Sequence, residues 1–232
     1  MTEPSSAASL GAPATLLSGV LESPDVVRLG RIDYQDALAR MRQFTDRRDA
    51  LTHDQIWLLE HPPIYTLGQA GRSEHLLDPN TKIPVVRVER GGQITYHGPG
   101  QVVAYLLIDL RRRDIKVREF VQLLEGALID TLATYNIAAT RKSGAPGIYV
   151  PWQGALAKIG ALGLKIRNGS TFHGVALNVA MDLTPFQAIN PCGYEGLVTL
   201  DMQQLGVLAE PARVAERLAQ ALVERINEKD WS

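Results

Sequence analysis

Apolar positions along the chain recur at two periods, and the changes of period mark out the elements. Residues 33–48 put Ala37, Leu38, Met41 and Phe44 on one face at three- and four-residue steps, which predicts an amphipathic helix. Gln55–Glu60 is a short apolar run suited to a buried strand; His61-Pro62-Pro63 interrupts it, and Ile64–Gly68 resumes extended structure. Val85–Val88 predicts another strand, after which Gly91-Gly92 turns the chain into Gln93–Tyr96. Val102–Leu110 is long, apolar and rich in strand formers, which places it centrally in a sheet. Residues 117–135 carry Phe120, Val121, Leu124, Leu128, Ile129 and Leu132 at helical spacing. Ile148–Pro151 is a short strand, and the glycine-punctuated stretch from Gly154 to Ala180 predicts two neighbouring strands with a turn at Asn168-Gly169. Pro211–Asn227 is a second clear helix, opened by its proline. Strands in the middle with helices flanking them suit one α+β domain on a mixed β-sheet, rather than regular βαβ alternation.

The two ends change that picture little. Met1 to Pro24 is rich in Ala, Ser, Pro and Thr, with no Lys or Arg before its weakly apolar stretch, so it makes a poor signal peptide. The expected organisation is a flexible N-terminal extension over residues 1–25 and a catalytic domain over 26–232. No apolar run approaches the length that spans a bilayer, and no membrane role is expected.

Composition narrows the function classes. At 232 residues the chain can bury a sizeable core without disulfides or a structural metal. Lys+Arg of 24 against Asp+Glu of 25 gives a formal net charge of −1, which is not the footprint of a general nucleic-acid binder. One cysteine makes neither an internal disulfide nor a thiolate-rich metal site, and it favours a reducing, cytoplasmic setting. The five histidines show no helical ligand spacing, so no metal site is expected. The Gly-x-Ser-x-Gly elbow of a serine hydrolase is absent.

Four clusters could carry chemistry. The first is the glycine-rich run from Arg90 to Gln101, where backbone can approach a ligand closely and Arg90 and His97 can hold a polar group. A plain hairpin explains it equally well; it lacks the Walker lysine, and no helix follows Gly98 and Gly100 as a dinucleotide fingerprint requires. The second is Lys158 among small and apolar residues. Desolvation there would favour a neutral amine fit for base work, yet lysines are mostly exposed and an outward-pointing Lys158 is the simpler expectation. The third is His173 before a small-residue stretch, either a pocket wall or a satisfied histidine at a strand end. The fourth is Cys192 between Pro191 and Gly193, in a turn rather than on an apolar face, which favours an accessible nucleophile over a buried filler.

Taken in order, RGGQITYHGPGQ (90–101), AKIGALGLKIRNGSTFHGVALNV (157–179) and INPCG (189–193) closely resemble the lipoyl(octanoyl) transferase family, the octanoyl-[acyl-carrier-protein]:protein N-octanoyltransferases. The resemblance runs from about Val26 to Asp201. It implies the α+β fold of biotin and lipoate protein ligases, and an enzyme that moves an octanoyl group from octanoyl-acyl carrier protein to a lysine of a lipoyl domain. The acceptors it implies are the lipoyl domains of 2-oxoacid dehydrogenase complexes and the glycine cleavage H protein, with no cofactor, no nucleic acid and a monomeric, cytoplasmic enzyme. It puts the acyl-thioester nucleophile on Cys192 and the base that tunes it on Lys158. Substrate-binding positions fall on Arg90, Gly91, Gly92, Gln93, Ile94, Thr95, Tyr96 and His97, on Ala161, Leu162 and Gly163, and on His173, Gly174, Val175 and Ala176.

An ATP-dependent ligase of the same fold, a non-catalytic module that only holds the carrier, and an amidotransferase between lipoyl domains stand as alternatives. The thiol argues against the ligase, because an adenylating enzyme needs no nucleophilic cysteine. Arg111-Arg112-Arg113, with Lys116 and Arg118, is the local basic candidate for an acidic carrier protein; a solvated helix entry is the equal alternative.

Overall fold

The computed structural model describes residues 21–229; the first twenty residues of the expected N-terminal extension and the last three of the chain lie outside the described residues. Ten strands and four α-helices follow in order: β1 (Asp25–Arg31), α1 (Tyr34–Asp46), β2 (Gln55–Glu60), β3 (Ile64–Leu67), β4 (Val85–Arg87), β5 (Ile94–His97), β6 (Gln101–Leu107), α2 (Leu110–Arg113), α3 (Val117–Ala133), β7 (Thr140–Lys142), β8 (Ala145–Trp152), β9 (Ala155–Arg167), β10 (Ser170–Asn178) and α4 (Pro211–Glu228).

Seven strands form the main sheet in the order β1-β2-β6-β10-β9-β8-β7, with β1 and β2 parallel and the other pairs antiparallel. A small sheet, β4-β3-β5, lies beside it. The expected mixed sheet with flanking helices is therefore the observed architecture. β6 occupies the central position its apolar run predicts, and all seven of its residues are buried. Asn168 and Gly169 both have positive φ (50° and 80°), the pair that a two-residue hairpin turn between twisted strands requires.

The helices cap as their sequences dictate. Asp33 accepts from the Gln35 N–H at the start of α1, and Glu119 accepts from the Lys116 N–H at the start of α3. On one side of the main sheet, Phe120, Leu123, Leu124 and Leu128 of α3 and Val214, Leu218 and Leu222 of α4 close a large apolar core with Leu106, Ile148 and Leu177. On the other side, Tyr34, Leu38 and Met41 of α1 pack on Trp57, Tyr105, Phe172 and Ala176.

The basic run is only partly exposed: Arg111, Lys116 and Arg118 lie at the surface, and Arg113 is buried. Arg113 is 3% exposed and donates to Asp54 at 2.6 Å, Arg112 donates to the same carboxylate at 2.8 Å, and Arg48 pairs with it as well. Arg111 donates to the Asn168 carbonyl. Buried charge must be paired, and one carboxylate holding three guanidinium groups ties α1, β2 and α2 together. Arg113 is thus a structural residue, and neither of the two readings of the run, carrier docking or a solvated helix entry, applies to it.

Candidate active site

β9 and β10 pair in register, with Ala161 opposite Ala176, Gly163 opposite Gly174 and Leu164 opposite His173. The glycine-rich loop lies over them, and Gly91 donates its N–H to the Leu164 carbonyl at 2.8 Å. Between loop and sheet runs a narrow cavity walled by Gln93, Thr95, Ala161, Leu162, Gly163, Gly174 and Ala176 and reaching Tyr34, His97 and His173. Arg90, Gly92, Ile94 and Val175 complete the match to the segments singled out in the sequence. Tyr96 departs from it: strand alternation turns its ring away from Thr95 and His97, onto Tyr65 and Phe186. Gly91 serves through its backbone bond to β9.

Lys158 is 4% exposed, so the outward-pointing expectation fails. The cause is local. Ile148 pairs with Gly160 and Tyr149 with Lys158, leaving Ile159 unopposed as a β-bulge, and a bulge re-aims the side chains beside it. The amine donates to the Pro146 carbonyl at 2.8 Å and lies 5.6 Å from the centre of the Tyr149 ring. Gly147 makes room for it: a Cβ there would come within 2.5 Å of the lysine Cε, and its φ of 129° suits only glycine.

Cys192 lies in the short 3₁₀ turn Pro191–Gly193. The turn is anchored at both ends. Asn190 donates its N–H to the His75 carbonyl at 2.9 Å, and Leu76 bridges Ile189. Downstream, Val198 to Leu200 runs along β9: Lys158 N–H donates to Val198 O at 2.8 Å, and Leu200 N–H to Lys158 O at 2.9 Å. The segment that follows the cysteine is thus laddered onto the lysine's own backbone. Lys158, Pro191, Thr95 and Ala161 line one small cavity, and Thr95 and Ala161 also line the narrow one. The two cavities adjoin.

A buried polar chain stiffens this arrangement. Arg90 donates to the Thr66 carbonyl (2.7 Å) and hydroxyl (2.8 Å) and to the Gln93 carbonyl (2.9 Å). Gln101 donates its amide to Asn178 Oδ1 at 2.9 Å, so its Oε1 accepts from His97 Nδ1–H at 2.7 Å. That leaves His97 Nε2 as acceptor toward the Thr66 hydroxyl at 3.4 Å. Asn178 then donates to the Leu200 carbonyl at 2.9 Å, beside Lys158. Arg90 therefore uses these donors to hold the loop rather than a ligand.

Three histidines far apart in sequence meet on the α1 side. His61 donates from Nδ1 to the Ile32 carbonyl (2.8 Å) and accepts at Nε2 from Tyr105 Oη (2.7 Å). Its ring lies 5.7 Å from that of His97. Burial pushes all three below the ordinary histidine value, His61 to about 4 and His97 and His173 to about 3, so they are neutral at pH 7. Among the described residues no group of three or more His, Cys, Asp or Glu could hold a metal ion. His173 is fully buried with neither ring nitrogen hydrogen-bonded, contrary to a satisfied strand-end histidine. Its φ of 63° is a left-handed conformation that costs a non-glycine residue roughly 1–3 kcal/mol.

The model of the lipoyl protein ligase A/B catalytic domain matches residues 33–223. An octanoyltransferase of Aromatoleum aromaticum is 61% identical over 197 residues, covering 85% of this chain and 83% of the relative. The chain belongs to the octanoyltransferase family. It is accordingly an acyltransferase. Among solved structures, the bipartite lipoate protein ligase of Thermoplasma acidophilum superposes with a TM-score of 0.71 at 15% identity, over 87% of this chain and 83% of that one. The biotin protein ligase of Aquifex aeolicus superposes with a TM-score of 0.54 at 10% identity, over 89% and 73%. At those identities the ligases share the fold, as the motif resemblance implied.

Several site residues escaped the sequence reading. Tyr34, His61, Thr66 and Tyr105 sit on elements with no motif of their own, and Gly147 looks like any turn glycine. Gln101 and Asn178 stood inside the motifs, but nothing in their spacing announces that they touch.

Proposed function

We propose that the chain transfers an octanoyl group from octanoyl-acyl carrier protein to the amine of a lipoyl-domain lysine, through a thioester on Cys192. The observation that carries this reading is the burial of Lys158 in a cavity it shares with Pro191, directly before Cys192, a cavity that has Thr95 and Ala161 in common with the narrow one. In the first step the Lys158 amine takes the Cys192 thiol proton. The thiolate adds to the thioester carbonyl, the carrier's sulfur leaves, and Lys158 returns the proton to it. In the second step the acceptor amine attacks octanoyl-Cys192, gives a proton to Lys158, and displaces the Cys192 thiolate, which is reprotonated. Thioester exchange is close to isoenergetic and amide formation runs downhill, so no ATP enters.

The narrow cavity takes the alkyl chain. Each buried CH₂ contributes about 0.8 kcal/mol, which makes eight carbons a strong anchor. Acceptors on this reading are the lipoyl domains of 2-oxoacid dehydrogenase complexes and the glycine cleavage H protein. The setting on this reading is the cytoplasm; among the described residues no helix is long and apolar enough to cross a membrane.

The test is transfer in a defined mixture of this chain, octanoyl-carrier protein and a lipoyl domain without nucleotide. Amide-linked octanoyl on the lipoyl domain is expected; product that appears only when ATP is added would overturn the reading in favour of a ligase.

A further inference from the structure

His173 takes no part in the proton transfers, yet it is buried at the wall of the narrow cavity. On β10, Val175 and Leu177 face the α3/α4 core, while Phe172 and Ala176 face α1. Period-two alternation would send His173 with Val175. Its left-handed backbone sends it the other way, so that its ring stacks on Phe172 (5.1 Å, 27°) and Tyr34 (6.5 Å, 20°) and meets Tyr105 edge-on (5.9 Å, 86°). There it walls the narrow cavity, fully buried, with both ring nitrogens unpartnered. Strain and an unmet hydrogen-bonding capacity at one residue are both costs, and such costs cluster where a ligand is shaped.

Its depth matches an acyl chain. The wall shared with the Lys158 cavity is at Ala161, opposite Ala176, and His173 lies opposite Leu164, three residues further along β9. At about 3.3 Å per residue that is roughly 10 Å. An extended eight-carbon chain, with seven bonds of about 1.5 Å in zigzag, reaches about 9 Å. Accepting the proposed acyl-Cys192 reading, we infer that His173 is the end wall of the acyl channel and sets its chain length, stopping saturated chains longer than about eight carbons. A longer chain has to displace the ring or press methylenes onto nitrogens that it cannot satisfy. The ring is held neutral by its burial, so it offers no charge for which the pocket would have to compensate.

The test replaces the ring without disturbing the backbone, because glycine and asparagine both tolerate left-handed φ. His173→Gly and His173→Asn are assayed for transfer to a lipoyl domain from hexanoyl-, octanoyl-, decanoyl- and dodecanoyl-carrier proteins. The readout is the ratio of kcat/KM for decanoyl to octanoyl within one preparation, from which any loss of folded protein cancels. His173→Gly is expected to raise that ratio about tenfold, as burial of two more methylenes implies, and His173→Asn to raise it less. If the natural chain transfers octanoyl and neither variant changes the ratio, the end wall lies elsewhere while the transfer reading stands. If the natural chain transfers no acyl group from any carrier, both fall.

Discussion

The two faces of the main sheet are built from the same strands and do opposite work. Toward α3 and α4 the strands present Leu106, Ile148, Val150, Val175 and Leu177 to an apolar core. Toward α1 the same strands present Tyr105, Ala176 and His173, and the partners are Tyr34, His61 and His97. An apolar face gains from every side chain it buries and tolerates volume-conserving exchange. A face of buried tyrosines and histidines must satisfy each polar atom or accept a cost, and it accepts one at His173. The comparison teaches where to look for chemistry on a sheet covered on both sides: on the face whose packing is polar, strained and incomplete.

The largest break in the comparison should come from Lys158, the proposed base. Lys158→Ala is expected to slow formation of the acyl-enzyme by about 10²–10⁴-fold at neutral pH, the range for loss of a general base. Part of the rate should return as pH rises and the thiol ionises without help. Stopped-flow acylation against pH measures both; an acylation rate equal to the natural one at pH 7 would place the base elsewhere.

A smaller effect separates the two faces by acid. His61, His97 and His173 are folded with values near 4, 3 and 3 against an unfolded value of about 6.5. The unfolded chain therefore binds protons first. The stability these rings contribute is complete above pH 6.5 and is lost as pH falls from there through the folded values. At pH 5 the loss is on the order of 2 kcal/mol per ring. Urea midpoints at pH 7.5 and pH 5 should differ accordingly. Equal midpoints would mean that the rings are not buried neutral, and the contrast between the faces would collapse.

How much of this was legible beforehand depends on the range of the interaction involved. Periodicity is local, so α3, α4, β2 and the hairpin of β9 and β10 stood in the sequence to within a few residues. β1 carries a bulge between Arg28 and Gly30 and pairs parallel to β2 across α1, so its pairing had no local signature. The glycine-rich loop and the thiol turn were visible as motifs. Lys158 was visible as a residue but not as a buried one, because its burial depends on a bulge set by β8 and on the space left by Gly147. The burial of Arg113 was hidden for the same reason: Asp54, nearly sixty residues earlier, holds it in the interior. His61 and His97 are separated by β3 and β4, His97 and His173 by everything from β6 to β9, and only the assembled sheet brings their rings together.

The central claim is a covalent one, and intact-mass measurement tests it most directly. The natural chain, mixed with octanoyl-carrier protein and no acceptor or nucleotide, is predicted to gain the mass of one octanoyl group in place of one hydrogen, located by peptide mapping to Cys192. Adding a lipoyl domain should remove it, and Cys192→Ser should neither carry a thioester nor transfer. A Cys192→Ser chain that octanoylates the lipoyl domain at the natural rate, or a natural chain that turns over without ever carrying the acyl group, would contradict the account.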